Sequence, residues 1–85
     1  MKKPRMKATR FFHADVEGNL SRLVNLRTAM SYPKGDNFKF NRDIREVNSI
    51  NELDFENNYC FIMNASGKTI EVDSIEEAKS LFRNI

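Results

Sequence analysis

From Tyr59 the chain carries an unbroken apolar run, Tyr59-Cys60-Phe61-Ile62-Met63, closed by a turn cluster from Asn64 to Lys68. A run of this length between turn residues predicts a strand buried on both faces. Thr69-Ile70-Glu71-Val72 alternates instead and predicts a strand with one wet face. Ser74-Ile75-Glu76-Glu77 then fits a capping box, with the serine hydroxyl taking the amide of Glu77 and the glutamate reaching back to the amide of Ser74. Behind it Ile75, Ala78, Leu81, Phe82 and Ile85 fall on one helical face.

Upstream the period is less regular. From Met6 the chain alternates in the strand sense, with Met6, Ala8 and Phe12 on one side and Lys7, Thr9, Phe11 and His13 on the other. Residues 1–13 are therefore expected as a basic arm or an edge strand, attached to a single α+β domain over 14–85. Asn19 is placed to cap a helix whose apolar positions are Leu20, Leu23, Val24 and Met30, with Leu26 on the flank. Tyr32-Pro33-Lys34-Gly35 ends that helix, and Phe38-Lys39-Phe40 opens a one-sided strand that continues through Ile44 and Val47. Glu46-Val47-Asn48-Ser49-Ile50-Asn51-Glu52 is echoed by Glu71-Val72-Asp73-Ser74-Ile75-Glu76-Glu77. Both copies read as a strand ending on valine followed by a serine cap, which predicts a short helical turn over 49–55. The expected fold is a two-layer α+β sandwich in the order (β)-α-β-β-β-α. Three antiparallel strands, or four if the first segment joins, carry both helices on one face.

Composition adds compartment and charge. Eighty-five residues make one domain, and the single cysteine, Cys60, has no internal partner, which suits a reducing, cytoplasmic setting. No stretch approaches the roughly 18–20 apolar residues of a membrane span, and the basic start lacks the apolar region of a signal peptide. The net charge of +2 hides a split. Residues 1–45 hold eleven Lys/Arg against four Asp/Glu, a net +7, and residues 46–85 hold three against eight, a net −5.

The residue types present disfavour catalysis. A zinc site needs about four Cys/His-type ligands, and the chain offers only Cys60 and His13. A Cys–His nucleophile pair would draw its thiol from the middle of an apolar run, where thiols are inert. Gly67-Lys68-Thr69 resembles the end of a phosphate loop but lacks the first glycine and precedes a strand. No catalytic, metal or cofactor residue is assigned, and the chain is expected not to be an enzyme. What the basic half can do is bind polyanions. Lys2, Lys3, Arg5, Lys7 and Arg10, continued by Arg22, Arg27 and Lys39, would neutralise phosphates, and Phe11 beside Arg10 would stack on an unpaired base. RNA is the expected ligand. The acidic half, with Glu52, Asp54, Glu56, Glu71, Asp73, Glu76 and Glu77, would meet a basic protein partner. A short hairpin strand beside a very apolar one also favours a homodimer that covers a sheet edge. The alternatives are a protein-only inhibitor or adaptor and a structural assembly subunit.

Two resemblances sharpen this. From Asn19 to Ile85 the element order resembles the α-β-β-β-α layout of the double-stranded-RNA-binding domain family. That family grips phosphates through a lysine-rich start to its last helix, where this chain has Ser74-Ile75-Glu76-Glu77-Ala78-Lys79. The resemblance therefore implies the fold and none of the binding residues. The basic start Met1-Lys2-Lys3-Pro4-Arg5-Met6-Lys7 and the Trp-free, Asn/Lys-rich body, as in Asn37-Phe38-Lys39-Phe40-Asn41, resemble the small accessory proteins of large lytic phages of the T-even type. That resemblance implies a non-catalytic inhibitor of a host enzyme, such as a ribonuclease toxin, acting together with RNA in the host cytoplasm.

Overall fold

The computed structural model describes residues 5–30 and 42–85. Strands β1 (Ala8–Ala14), β2 (Ile44–Val47), β3 (Tyr59–Asn64) and β4 (Thr69–Val72) form one antiparallel sheet in the order β2-β1-β3-β4. Helices α1 (Leu20–Met30) and α2 (Ile75–Leu81) and a 3₁₀ turn at Ile50–Glu52 complete it. The class is α+β, in the order β-α-β-β-β-α, with the N-terminal segment as the fourth strand.

That segment is not at the edge. β1 lies between β2 and β3, pairing Phe11 with Val47 on one side and with Ile62 on the other. Its sequence explains the position, because Phe12 and Ala14 are buried on one face while His13 is buried on the other. A strand buried on both faces from Phe12 to Ala14 belongs inside a sheet. Ahead of it, the Met6 amide donates to the Leu81 carbonyl at 2.9 Å and the Arg83 amide to the Met6 carbonyl at 2.8 Å. Asn84 exchanges two hydrogen bonds with the main chain of Ala8. Residues 5–8 are thus strapped to the segment that follows α2.

The helices lie on opposite faces, not on one. Successive strand residues point to opposite sides, so the unbroken run in β3 serves two cores at once. Beneath α1 the core holds Phe12, Ala14, Val16, Phe61 and Met63 against Leu23, Leu26 and Met30. Beneath α2 it holds Ala8, Cys60, Ile62 and Val72 against Leu53, Ala78 and Phe82. The sheet is the middle of three layers. A register shift between Ala8 and Arg10 lets Ala8 join the second core although it shares parity with Phe12, and the Thr9 hydroxyl donates to the carbonyls of Met63 and Asn64 at this bulge.

Local grammar sets the helix ends. Asn19 caps α1 as expected, its side-chain oxygen accepting the Arg22 amide at 3.1 Å. The turn before it has positive φ at both Glu17 (39°) and Gly18 (77°), closed by the Asn19 amide on the Val16 carbonyl. The buried stripe of α1 is Leu23, Leu26 and Met30, whereas Leu20 and Val24 are exposed at 67% and 55%. Leu26 is core and not flank, because the helix rolls to place positions 23, 26 and 30 on the sheet. Ser49 and Ser74 adopt nearly the same cap conformation, φ/ψ of −150°/163° and −156°/163°, although the first opens a 3₁₀ turn and the second an α-helix. Their glutamates differ from expectation in one detail. Glu77 reaches the amide of Asp73 and not that of Ser74, while Glu52 accepts from both Asn48 and Ser49.

Candidate nucleic-acid interface

The residues proposed from sequence to hold a polyanion separate into three groups. Lys2, Lys3 and Lys39 lie outside the described residues. Arg10, Arg22 and Arg27 are each engaged with a carboxylate. Arg10 forms a two-pronged pair with Glu46 at 2.9 and 2.7 Å, and its guanidinium lies 5.1 Å from the centre of the Phe12 ring. Arg27 grips Glu71 at 2.5 and 3.1 Å, and Arg22 pairs with Asp43. All three pairs sit on the α1 face, where they tie β1 to β2, the helix to β4 and the helix to the start of β2. Phe11 packs against the second core.

Arg5 and Lys7 form the third group, and they are joined by a cation that the sequence had placed in the acidic half. Arg83 meets them at an open groove of about 330 Å³, which is also lined by Met6, Asn64, Ala65 and Ser66. The guanidinium of Arg5 donates to the main-chain oxygen of Lys79 at 3.1 Å, a contact that orients it and leaves its charge uncancelled. No carboxylate lines the groove, and among the described residues no ion pair involves Arg5, Lys7 or Arg83. The hairpin wall is rigidly built. Asn64 is buried, and its side-chain oxygen accepts from the Ser66 amide, the Ser66 hydroxyl and the Lys68 amide. Gly67, with φ of 90°, closes the turn. Sequence reading missed Arg83 because it counted charge along the chain, and only the strapping of residues 5–8 to 81–84 brings the two stretches together.

The opposite end of the sheet has the reverse sign. A cleft of about 400 Å³ there is lined by Glu17, Glu56 and Asp73 over Ala14, Val16, Tyr59 and Val72, with no Lys or Arg. The seven residues of β1 separate the two ends by roughly 20 Å. The two clefts, at opposite ends of the sheet, thus carry opposite charge. α2 runs along it, with Glu76 and Glu77 in its first turn and Lys79 in its last, the arrangement its dipole favours.

His13 and Cys60 are cross-strand neighbours on the α2 face, both buried. Burial pushes the Cys60 thiol up to about 11, so it is protonated at neutral pH. The imidazole has no free basic nitrogen to offer it. Nε2 accepts the Asp54 amide at 2.7 Å, and Nδ1 lies 3.2 Å from the Arg45 guanidinium. Burial and Arg45 hold the His13 pKa below 6.5, against the opposing charges of Asp54 and Glu52. Among the described residues no cluster of three or more His, Cys, Asp or Glu is placed to hold a metal ion, and no helix is long and apolar enough to cross a membrane. Compared with known proteins, the chain matches no family model, no curated protein and no solved structure.

Proposed function

We propose that this protein is a non-catalytic, RNA-associated inhibitor or regulator of a protein partner, and that it holds RNA at the Arg5–Lys7–Arg83 end of its sheet. One observation carries the reading. Three cations converge on an open groove with no carboxylate among its described lining residues, while Arg10, Arg22 and Arg27 are each paired with a carboxylate. A carboxylate paired to an arginine makes it a poorer phosphate ligand, since the phosphate must compete with that carboxylate. Cations without acidic partners release only counterions. The acidic cleft at the far end supports a separate contact with a basic protein surface, which leaves RNA and protein partner on opposite ends. The resemblance to phage accessory proteins makes a host ribonuclease toxin, in the host cytoplasm, the first partner to test. Self-association through the outer strands β2 and β4 belongs to the same proposal, and sedimentation at tens of micromolar, an order-of-magnitude choice for weak association, tests it.

RNA affinity measured over a salt series tests the main reading. The triple variant R5A/K7A/R83A should lose about two to three units from the slope of log affinity against log salt, at about 0.7–0.9 per phosphate contact. The variant R22A/R27A should keep the slope of the parent. Equal slopes for parent and triple variant, or no binding at low salt, would remove RNA from the proposal. A pull-down that recovers the same partner with and without ribonuclease would then favour a protein-only inhibitor.

A further inference from the structure

We infer that the Arg5–Lys7–Arg83 groove recognises the phosphodiester backbone alone and reads neither base nor sugar. This rests on the polyanion reading above and narrows its ligand class. Sequence-tolerant binding to single strands normally combines cations with aromatic platforms, each base stacked on a ring contributing about 1–3 kcal/mol. Here the rings are elsewhere. Phe12, Phe61 and Phe82 are buried in the two cores, and the partly buried Tyr59, Phe11 and Phe55 pack against them, so no aromatic ring among the described residues reaches the groove. The groove itself is lined by Arg5, Met6, Lys7, Asn64, Ala65, Ser66 and Arg83, with no ring among them.

The neutral side chains of the groove are not free to read a base edge either. Asn64 is the one side-chain amide in the groove, the group best suited to an adenine edge. Its oxygen already takes three donors from Ser66 and Lys68, and its nitrogen faces the Met6 sulfur at 3.3 Å. The Ser66 hydroxyl spends its hydrogen on Asn64 at 2.7 Å, so it has no donor to offer a ribose 2′-hydroxyl and could meet one only as an acceptor. What the groove offers without a neutralising partner among the described residues is charge. Guanidinium and ammonium groups match phosphate oxygens, and phosphate contacts fix position without carrying sequence.

Fluorescence anisotropy on the full chain separates the outcomes. The probes are a short single-stranded RNA, the DNA of the same sequence, and an abasic deoxyribose-phosphate oligomer of the same length. The three should bind within about fivefold of one another, since loss of even one stacked base would cost more than that, and R5A/K7A/R83A should weaken all three alike. If the abasic oligomer binds more than about fivefold weaker than the RNA, bases are read and the inference falls, while the polyanion reading stands. Failure of all three probes to bind at low salt would overturn both. Circular dichroism of the triple variant guards against a folding defect, and the charge-conserving variant R5K/R83K should keep binding to all three probes.

Discussion

On the α1 side of the sheet the perimeter is closed by side chains, whereas on the α2 side it is closed largely by main chain. Around Phe12, Phe61, Leu23, Leu26 and Met30 stand three arginine–carboxylate pairs, which fasten helix and outer strands over an apolar core. The other face buries His13 and Cys60 beside Ile62 and Phe82. It is sealed by amide–carbonyl bonds between Met6 and residues 81–83 and by the Asn84 side chain on Ala8. The difference decides which cations are available. Where side chains do the fastening, arginines are consumed by carboxylates. Where backbone does it, Arg5, Lys7 and Arg83 are left around the groove without an acidic partner among the described residues.

The largest effect should come from emptying either core. Phe61→Ala on the α1 side and Phe82→Ala on the α2 side each remove a ring that is at most 2% exposed. Each should cost about 3–5 kcal/mol, comparable with the total stability, on the order of 5 kcal/mol, of a domain this small. Because β3 supplies both cores, the two faces should be lost in one cooperative transition in urea. Two separate transitions, or melting of either variant like the parent, would break the three-layer picture.

A smaller effect should distinguish the faces by pH. His13 is buried on the α2 face with Nε2 accepting the Asp54 amide, so protonation of that nitrogen sets N–H against N–H. Its folded pKa lies below the unfolded value of 6.5, and the unfolded chain therefore binds the extra proton first. Stability should be full above pH 6.5, fall as pH drops from there to the folded pKa, and level off below it. His13→Gln keeps an acceptor for the Asp54 amide and cannot titrate. Comparing urea midpoints of the two proteins across this range isolates the histidine, and identical pH profiles would show that His13 is not held neutral.

The comparison also shows what the sequence could reveal. Both-face burial of Tyr59–Met63 was legible from the unbroken run, and it already called for cover on each side of the sheet. Placing both helices on one face ignored that demand. The three-layer arrangement is what the run required. The capping serines and Asn19 were legible because their hydrogen bonds are local, within three residues. The position of β1 was not, since alternation from Met6 is interrupted by the bulge at Thr9, and a one-residue shift hides which side chains share a face. The groove was half legible. Arg5 and Lys7 stood in the basic run, but Arg83 lies 76 positions from Lys7, and the pairing of Arg10, Arg22 and Arg27 depends on partners 21 to 44 residues away.

The echoed caps provide a finer probe of the α2 side. The Ser74 hydroxyl accepts the Glu77 amide at 3.1 Å, so Ser74→Ala should cost about 1 kcal/mol. Glu52→Ala should cost a similar amount, about 0.5–1.5 kcal/mol for lost hydrogen bonds, because its carboxylate serves two amides. Loss of less than about 0.3 kcal/mol in Ser74→Ala would mean that α2 is held by packing alone and owes nothing to its cap.

The smallest effect should be the most telling for function, because it concerns arginines that the fold has engaged. Arg27 and Glu71 have side chains 48% and 23% exposed, which places their two-pronged pair in solvent. Water screens such a pair, and holding two long side chains in one geometry offsets part of the attraction. A double-mutant cycle over Arg27→Ala and Glu71→Ala should give a coupling of about 0.2–1 kcal/mol that fades as salt is raised. The same cycle can be run on RNA affinity. If Arg27 is occupied by Glu71, then Glu71→Ala should expose a cation and raise affinity slightly, and the gain should disappear when Arg27 is also alanine. No change in affinity in Glu71→Ala would mean that the α1 face lies beyond the reach of bound RNA, which confines the contact to the end of the sheet. A loss of affinity in Arg27→Ala alone would show that the helix arginines bind RNA despite their ion pairs, and the contrast between the two faces would no longer predict which cations are available.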